Sequence, residues 1–449
     1  LLEGTQVTSL GTFLARIQPL AESLRGIDHV INLCERRPAF LAAFAATRLS
    51  GAITILPASR SAQAIANACA QYPGARILDD EVVASGLAAA ITGDTGELAP
   101  RRVTSPSARA TAALLERWHA STPAACAAIA WTSGSSGEPT AHRRSWAEFT
   151  ASIMQTRSVF IDTLPAALQG ETPWIVGTVP AHHMFGLELS VLLPLLGGLG
   201  LHAARPLLPA EVATALEAIP HPRILVSAPA HLQAIVRSGL AMPHVDLVAS
   251  ATAPMSEDLA RAVETITGAR LLDMLGSTET CLIGCRRPTL DLTWRAYPGV
   301  RFERRDSGTD VLTPWFEHPR QLPDKIDADD QGRFVLHGRH SDFIDVAGKR
   351  ASLADLNRQL LAIPGVVDGV IFQPSQGDGL VRRLAALVVA PGLSAETVRD
   401  ALARGIDPVF LPRPLHLVER LPRNDTGKLP RERLEDALAA IRRTSGTSQ

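Results

Sequence analysis

The succession of strand-like and helix-like runs constrains this chain most. Val30-Ile-Asn-Leu33 reads as a strand, 39–49 as an alanine-rich helix, and Ala52-Ile-Thr-Ile-Leu56 as the next strand. That order predicts parallel strands with helices packed on the sheet faces. The pattern returns at 174–179, 223–226 and 245–250, with helical segments such as 211–218 between. From Gly299 to Phe334 the texture changes to short strands, prolines and acidic turns, and beyond Gly338 a smaller mixed unit follows. The expected fold class is therefore α/β. A large N-terminal domain of parallel and mixed sheets with flanking helices is expected at 1–338, and a hinge at 339–341. A small α+β C-terminal domain follows at 342–443, closing in a helix from Arg431, with a disordered tail at 444–449.

At 449 residues the chain is too long for one ordinary core, so two or more packed units are expected. With 20% charged residues and a net charge of −1, its surface gives no electrostatic reason to expect nucleic acid or an anionic membrane as partner. The longest apolar stretch, 187–201, contains Pro194, Gly197, Gly198 and Gly200 and falls short of the roughly 20 residues a membrane span needs. A buried helix is expected there, and no membrane span. Cys34, Cys69, Cys126, Cys281 and Cys285 are odd in number and lack CxxC spacing. This disfavours a disulfide framework or zinc site and fits a reducing compartment. No basic segment followed by an apolar core opens the sequence, so no signal peptide is expected and the cytoplasm is the expected location.

Two short segments carry chemistry. Thr132-Ser-Gly-Ser-Ser-Gly137 follows the apolar run 124–131. Its glycines permit unusual dihedrals, and its hydroxyls and free N–H groups suit polyphosphate oxygens; a serine/glycine linker would look similar. A Walker loop would continue Gly-Lys-Ser/Thr, whereas Gly137 is followed by Glu138-Pro139, which disfavours P-loop chemistry. The second segment is Leu421-Pro-Arg-Asn-Asp-Thr-Gly-Lys428. Only three of the 44 basic residues are lysines, and Lys428 is the last of them. An ammonium is a compact charge on a flexible stem and a guanidinium a broad fork, so a lysine here suits delivery of one charge into a tight space. A solvated turn lysine is the bland alternative.

With Gly276-Ser-Thr-Glu279, Asp324, Gly338-Arg339, Asp342-Phe-Ile-Asp-Val-Ala-Gly-Lys-Arg350 and Pro422-x4-Gly-Lys-x2-Arg431, these segments form an ordered set. In order and spacing they resemble the adenylate-forming superfamily of acyl-CoA synthetases, aryl-acid ligases, peptide-synthetase adenylation domains and luciferases. The resemblance spans Trp131 to Arg431. It implies ATP-dependent conversion of a small carboxylic acid to an acyl-adenylate, then transfer to the thiol of coenzyme A or of an acyl carrier protein's phosphopantetheine. By that resemblance Thr132, Ser133, Gly134, Ser135, Ser136 and Gly137 hold the β- and γ-phosphates. Ala251, Thr252, Leu275, Gly276 and Ser277 border the nucleotide, Thr278 touches the α-phosphate, and Glu279 holds Mg²⁺. Asp324, helped by Arg339, accepts the ribose hydroxyls. Lys428 bridges carboxylate and α-phosphate. Ser341 is the hinge about which the small, mobile domain turns, bringing Gly348 to the thiol's arm.

The chain departs from that pattern at several places. Thr140 stands where the phosphate loop usually ends in lysine, a charge Arg143 or Arg144 could replace. Leu275 stands where an aromatic commonly stacks on adenine, Leu322-Pro323 replaces Thr-Gly, Ser341 replaces Asp or Lys, and Asp355 replaces Glu. A non-catalytic nucleotide-binding relative is the competing reading from a different class.

Pro180-Ala-His-His-Met-Phe-Gly186 matches the family's Pro-x2-His-x2-Gly turn and places His183 at the acid pocket's edge, with His182 structural. Amino-acid activators usually carry aspartate after this phenylalanine; Gly186 stands here, which disfavours an amino acid, since an unpaired buried ammonium is costly. Glu188 is expected elsewhere on the helix. Ala228, Ser250, Met274 and Cys281 are the other expected acid-binding positions. Small residues with a few hydroxyls suit a flat aryl acid or a medium acyl chain. A finer resemblance points to hydroxybenzoate-activating ligases of aryl-polyene (xanthomonadin-type) pigment pathways, with medium- or long-chain fatty acyl ligation as the alternative.

Overall fold

The computed structural model describes residues 1–57, 60–92, 108–119, 124–132, 140–305, 308–322, 324–339, 343–346, 349–374, 383–424 and 429–446. Ser133 to Gly137, Ser341, Gly348 and Lys428 lie outside these residues. The chain forms two compact units. The first comprises Leu1–Arg301 and Leu312–Arg320; the second comprises Phe302–Val311 and Gln321–Gln449. Segments 302–311 and 321–338 thus group with the C-terminal part of the chain.

Two large sheets build the first unit, beside a short antiparallel pair, Leu2–Glu3 with Gln6–Val7. In one, the spatial order is Arg76–Leu78, His29–Asn32, Ile53–Leu56, Cys126–Thr132 and Thr140–Ser145, all parallel except the last strand. The helix Arg37–Ser50 that crosses between the first two strands in sequence starts with Pro38 in its first turn. It ends at Gly51 in the left-handed region (φ 85°). In the other sheet Gly200–Leu201, Trp174–Gly177, Arg223–Ser227, Leu247–Ser250 and Arg270–Ser277 run parallel, followed by the antiparallel Cys281–Arg286 and Trp294–Ala296. Val176, Leu225, Val248 and Leu271 stand on one face and pack beneath helices Pro209–Glu217, Pro229–Ser238 and Glu257–Thr267. Fully burying side chains of this size stabilises by about 1.5–3 kcal/mol each, and this cluster fixes the strand ends that carry the site.

The stretch expected as a buried helix at 187–201 is largely buried and helical as far as Gly197, and departs from that expectation only beyond it. It comprises a helical turn Met184–Leu187, a wider π-helical turn Glu188–Leu192, a short helix Leu193–Gly197 and the strand Gly200–Leu201. Pro194 sits in the first turn of the short helix, where its missing N–H costs nothing. Among the described residues no helix is long and apolar enough to cross a membrane.

In the second unit Asp368–Phe372 pairs antiparallel, and Leu415–Leu417 parallel, with Ala385–Val389. That central strand is buried on both faces: Ala386 and Val388 join one cluster with Leu360 and Leu402, and Leu387 and Val389 join another with Leu434 and Leu438. A period of two thereby feeds two cores. The last helix, Arg431–Gly446, runs through three residues expected to be tail. Asp324–Ala328 and Arg333–Arg339 form an antiparallel hairpin.

Candidate active site

The turn Thr278–Thr280 joins strands Arg270–Ser277 and Cys281–Arg286, and buried groups fix it from within. Thr280 is fully buried; its Oγ1 accepts the Ser277 N–H at 3.2 Å and donates to the Cys281 carbonyl at 2.9 Å. The ladder is bulged between Leu275 and Gly276. A Cβ on Gly276 would lie 2.5 Å from the Cys281 carbonyl oxygen, so the bulge requires glycine. Cys281 itself has φ 57°, and Thr252, in the adjoining predicted segment, has φ 81°. These are the two non-glycine positive-φ residues among those described. A β-branched threonine there is a backbone outlier that costs about 1–3 kcal/mol, strain typical of functional sites.

Strand Thr140–Ser145 supplies the turn's neighbours. Alternation puts Thr140, His142 and Arg144 on one face. Arg144 is buried, donates to the Thr278 carbonyl and, at 2.8 Å, to that of Arg143, and lies 5.0 Å from the Phe316 ring. It is therefore committed to holding the turn, while Arg143 is exposed. Of the two arginines considered as replacements for the missing loop lysine, Arg144 is bound in place 134 residues away in sequence. His142 Nε2 stands 3.6 Å from Glu279 Oε1. Burial holds the imidazole below its ordinary pKa against the pull of Glu279, with Arg144 and Arg320 lowering it further. Glu279 thus faces a neutral ring near pH 7. A part-exposed carboxylate that, among the described residues, pairs with no arginine or lysine fits a hard oxygen ligand for Mg²⁺.

The Pro180–Gly186 turn is equally tight: a Cβ on Gly186 would sit 1.9 Å from the Pro180 carbonyl oxygen. An aspartate at this position is sterically excluded as well as absent. His183 leads into the helical turn, its carbonyl accepting the Leu187 N–H at 2.7 Å, and its ring centroid lies 4.4 Å from that of His182. Burial, aided by His183, Arg60 and Arg205, pushes His182 down to a pKa of about 3.

Glu188 departs from the sequence expectation in an informative way. The π-helical turn buries it completely, and its Oε2 accepts the Leu282 N–H at 3.1 Å. Arg144 and Glu188 therefore grip the turn at its two ends, Thr278 and Leu282. Burial raises the Glu188 pKa from 4.5 to about 7, opposed by Leu282, Arg144 and Ser152. Between those values the folded chain keeps a proton that the unfolded chain releases, so this group's contribution to stability falls as pH rises from 4.5 through 7. Glu188→Gln keeps an acceptor for Leu282 without the charge. It is expected to raise the melting temperature relative to wild type at pH 8 and to change it little at pH 5. The upper bound from the shift is about 3 kcal/mol. Equal displacement at both pH values would show that Glu188 is not a proton-holding buried carboxyl.

The other predicted acid-binding positions line the C-terminal ends of the parallel strands. Ser250 pairs in register with Ser227 on one side and Asp273 on the other. Ala228, Ser250, Ala251, Met274 and Cys281 are all buried, and among the described residues Ser250 Oγ has no hydrogen-bond partner. Leu275 is half-buried. Sequence reasoning missed the hydroxyl chain beside them, in which Thr178 Oγ1 lies 2.8 Å from both Ser227 Oγ and His231 Nδ1. Ser227 reads from the sequence as part of the pocket wall with Ala228 and Pro229, but nothing local links it to Thr178 or His231. In the second unit, Asp324 stands directly opposite Arg339 across the hairpin, so the two predicted ribose residues are cross-strand neighbours. Of the phosphate loop, the backbone of Thr132 is described, at the end of its strand and paired with Thr140.

A 4-coumarate–CoA ligase of Halorhodospira halophila is 29% identical over 310 residues, covering 66% of this chain and 73% of that protein. A 3-hydroxybenzoate–CoA ligase of Aromatoleum sp. (strain CIB) is 25% identical over 264 residues, 49% of this chain and 50% of the relative. A benzoate CoA ligase from Burkholderia xenovorans LB400 shares the fold, with TM-score 0.71 at 16% identity over 97% of this chain and 96% of that one. Residues 4–303, well over half of the sequence, match the family described as AMP-binding enzyme, and the chain belongs to that family.

Proposed function

We propose that this protein is an AMP-forming acid–thiol ligase acting on an aryl acid of the hydroxybenzoate type. A carboxylate oxygen attacks the α-phosphorus of ATP; the new bond is the acyl-adenylate's, and pyrophosphate leaves. A thiol then attacks the acyl carbon, its proton is lost, and AMP leaves as the thioester forms. The observation that carries this reading is the turn Ser277–Leu282. It presents Thr278 and Glu279 from a strained backbone gripped by Arg144 at one end and Glu188 at the other. Such a preorganised donor set stabilises transferring charge without reorganising during the reaction.

In this reading Thr132–Gly137 hold the outer phosphates, Ala251, Thr252, Leu275 and Gly276 border the base, and Asp324 with Arg339 holds the ribose. Mg²⁺ on Glu279 would neutralise phosphate charge. Lys428 meets the carboxylate and α-phosphate, and Gly348 meets the thiol's arm after the small domain turns about Ser341. The aryl preference is supported by relatives named for coumarate, benzoate and hydroxybenzoate. It is supported too by the small or apolar residues buried at the expected acid-binding positions, Ala228, Ser250, Met274 and Cys281, and by a Glu188 carboxyl engaged with the backbone of Leu282. Coenzyme A or a carrier protein's phosphopantetheine is the acceptor, and the cytoplasm the setting.

The test is ATP–pyrophosphate exchange across benzoate, the hydroxybenzoates, coumarate, octanoate and palmitate. Label incorporation dependent on an aryl acid is the expected result. Exchange with fatty acids alone would reassign the substrate class, and no exchange with any acid would leave a nucleotide-binding relative without turnover.

A further inference from the structure

His142 and Glu279 face each other without a hydrogen bond between them. His142 Nε2 stands 3.6 Å from Glu279 Oε1, beyond hydrogen-bond range, and both side chains keep some exposure to solvent. Neither backbone is loose. His142 lies opposite Ala130 in the ladder with Cys126–Thr132, two residues from Thr140 and on the same face. Glu279 belongs to the turn that Arg144 holds at the Thr278 carbonyl and that the buried Thr280 braces from within. An imidazole nitrogen and a carboxylate oxygen are thereby presented side by side from two fixed elements. Bonds of about 2.1 Å to one ion place neighbouring ligand atoms about 3.0 Å apart around an octahedron and about 3.4 Å apart around a tetrahedron. The observed spacing closes to either with a side-chain shift of roughly a few tenths of an ångström.

The neighbouring charges decide when such an ion binds. Arg144 and Arg320 share the Phe316 ring, each with its guanidinium carbon 5.0 Å from the ring centroid, and Arg144 bonds the residue before Glu279. Guanidiniums so placed repel a bare divalent cation. Among the described residues no cluster of three His, Cys, Asp or Glu side chains could hold one unaided. The ion therefore enters with an anion that supplies further oxygens and offsets the guanidinium charge, as a nucleotide polyphosphate does. Mg²⁺ favours an all-oxygen shell and keeps its waters, whereas an imidazole nitrogen favours later divalent ions of the first transition row. We propose that His142 is a second protein ligand, beside Glu279, to the metal that accompanies the nucleotide, giving a mixed nitrogen and oxygen site that takes Co²⁺ or Mn²⁺ ahead of Mg²⁺. This rests on the acid–thiol ligase reading, which brings the nucleotide to Glu279.

Pulsed electron paramagnetic resonance of Mn²⁺, added to the full-length protein with an α,β-methylene analogue of ATP, tests the ligation without turnover. Wild type is expected to show a nitrogen hyperfine coupling that changes when the protein's histidines carry the heavy nitrogen isotope, which separates imidazole from adenine nitrogen. His142→Ala and His142→Asn, each checked for melting temperature, should lose that coupling and weaken Mn²⁺ binding by about tenfold or more. In ATP–pyrophosphate exchange the ratio of the Co²⁺-supported rate to the Mg²⁺-supported rate should fall in both variants. Mn²⁺ that binds wild type without a histidine coupling, or not at all, overturns the proposal, and so does a coupling that persists in His142→Ala. A histidine coupling that is lost in both variants, found together with no exchange for any acid, would keep the metal ligand and overturn the ligase reading instead.

Discussion

Lys428→Ala is expected to slow adenylate formation by about 10²–10³, the usual cost of deleting one electrostatic stabiliser of a transition state. The reason is the approach of two anions: a carboxylate must reach a phosphorus surrounded by phosphate oxygens, and a single ammonium between them offsets the repulsion. A chain that meets nearly all its needs for positive charge with arginine keeps lysine at this position. The ammonium's compactness is the property a guanidinium cannot supply, so Lys428→Arg should recover little. The effect should be one-sided. Exchange of pyrophosphate into ATP should collapse, while thioester formation from presynthesised acyl-adenylate should fall far less, since no phosphate–carboxylate repulsion remains. Equal losses in both half-reactions would sink the proposed withdrawal of the lysine between steps. Unchanged exchange would remove Lys428 from the mechanism.

The largest effect on stability is expected at Arg37. One buried guanidinium satisfies four carbonyls at the ends of two strands, Gly177 and Val179 on one side and His202 and Ala204 on the other. Burial makes the charge costly, pushing its pKa down to about 9. The arrangement therefore persists only because the hydrogen bonds outweigh that cost. Arg37→Ala leaves two buried acceptors, the carbonyls of Gly177 and Val179, without this donor at about 1–3 kcal/mol each, and frees two part-buried ones at His202 and Ala204. The two buried acceptors alone amount to about 2–6 kcal/mol, a large share of the 5–15 kcal/mol that holds a typical domain together. The expected result is loss of soluble protein or a fall of more than ten degrees in the first calorimetric transition. Arg37→Lys keeps charge but cannot span four carbonyls and should fall well short of rescue. A lysine variant melting within two degrees of wild type would show that charge, and not the fork, is what the site requires.

Among the described residues Arg37, Arg48 and Arg144 are buried. Arg48 lies between the rings of Trp118 (4.4 Å) and Trp146 (4.1 Å) and donates to the Trp118 carbonyl, while Arg144 holds the Thr278 turn. Each uses the flat, multiply donating guanidinium, for which lysine has no equivalent.

The alternation of strand and helix fixed the parallel sheets in advance, because period and turn chemistry are written within a dozen residues and need no partner. The ordered motifs fixed the family for a related reason. Bulges and tight turns demand particular residues, as Gly276 and Gly186 do through backbone oxygens 2.5 Å and 1.9 Å from where a side chain would begin. Tertiary structure alone decided the partners. Arg144 reaches Thr278 across 134 residues, Glu188 reaches Leu282 across 94, and Arg37 reaches Gly177 and Ala204 across 140 and 167. It also decided that 302–311 and 321–338 group with the C-terminal unit. A side chain's burial and charge depend on which distant strand ends the fold brings together, and no local periodicity carries that information.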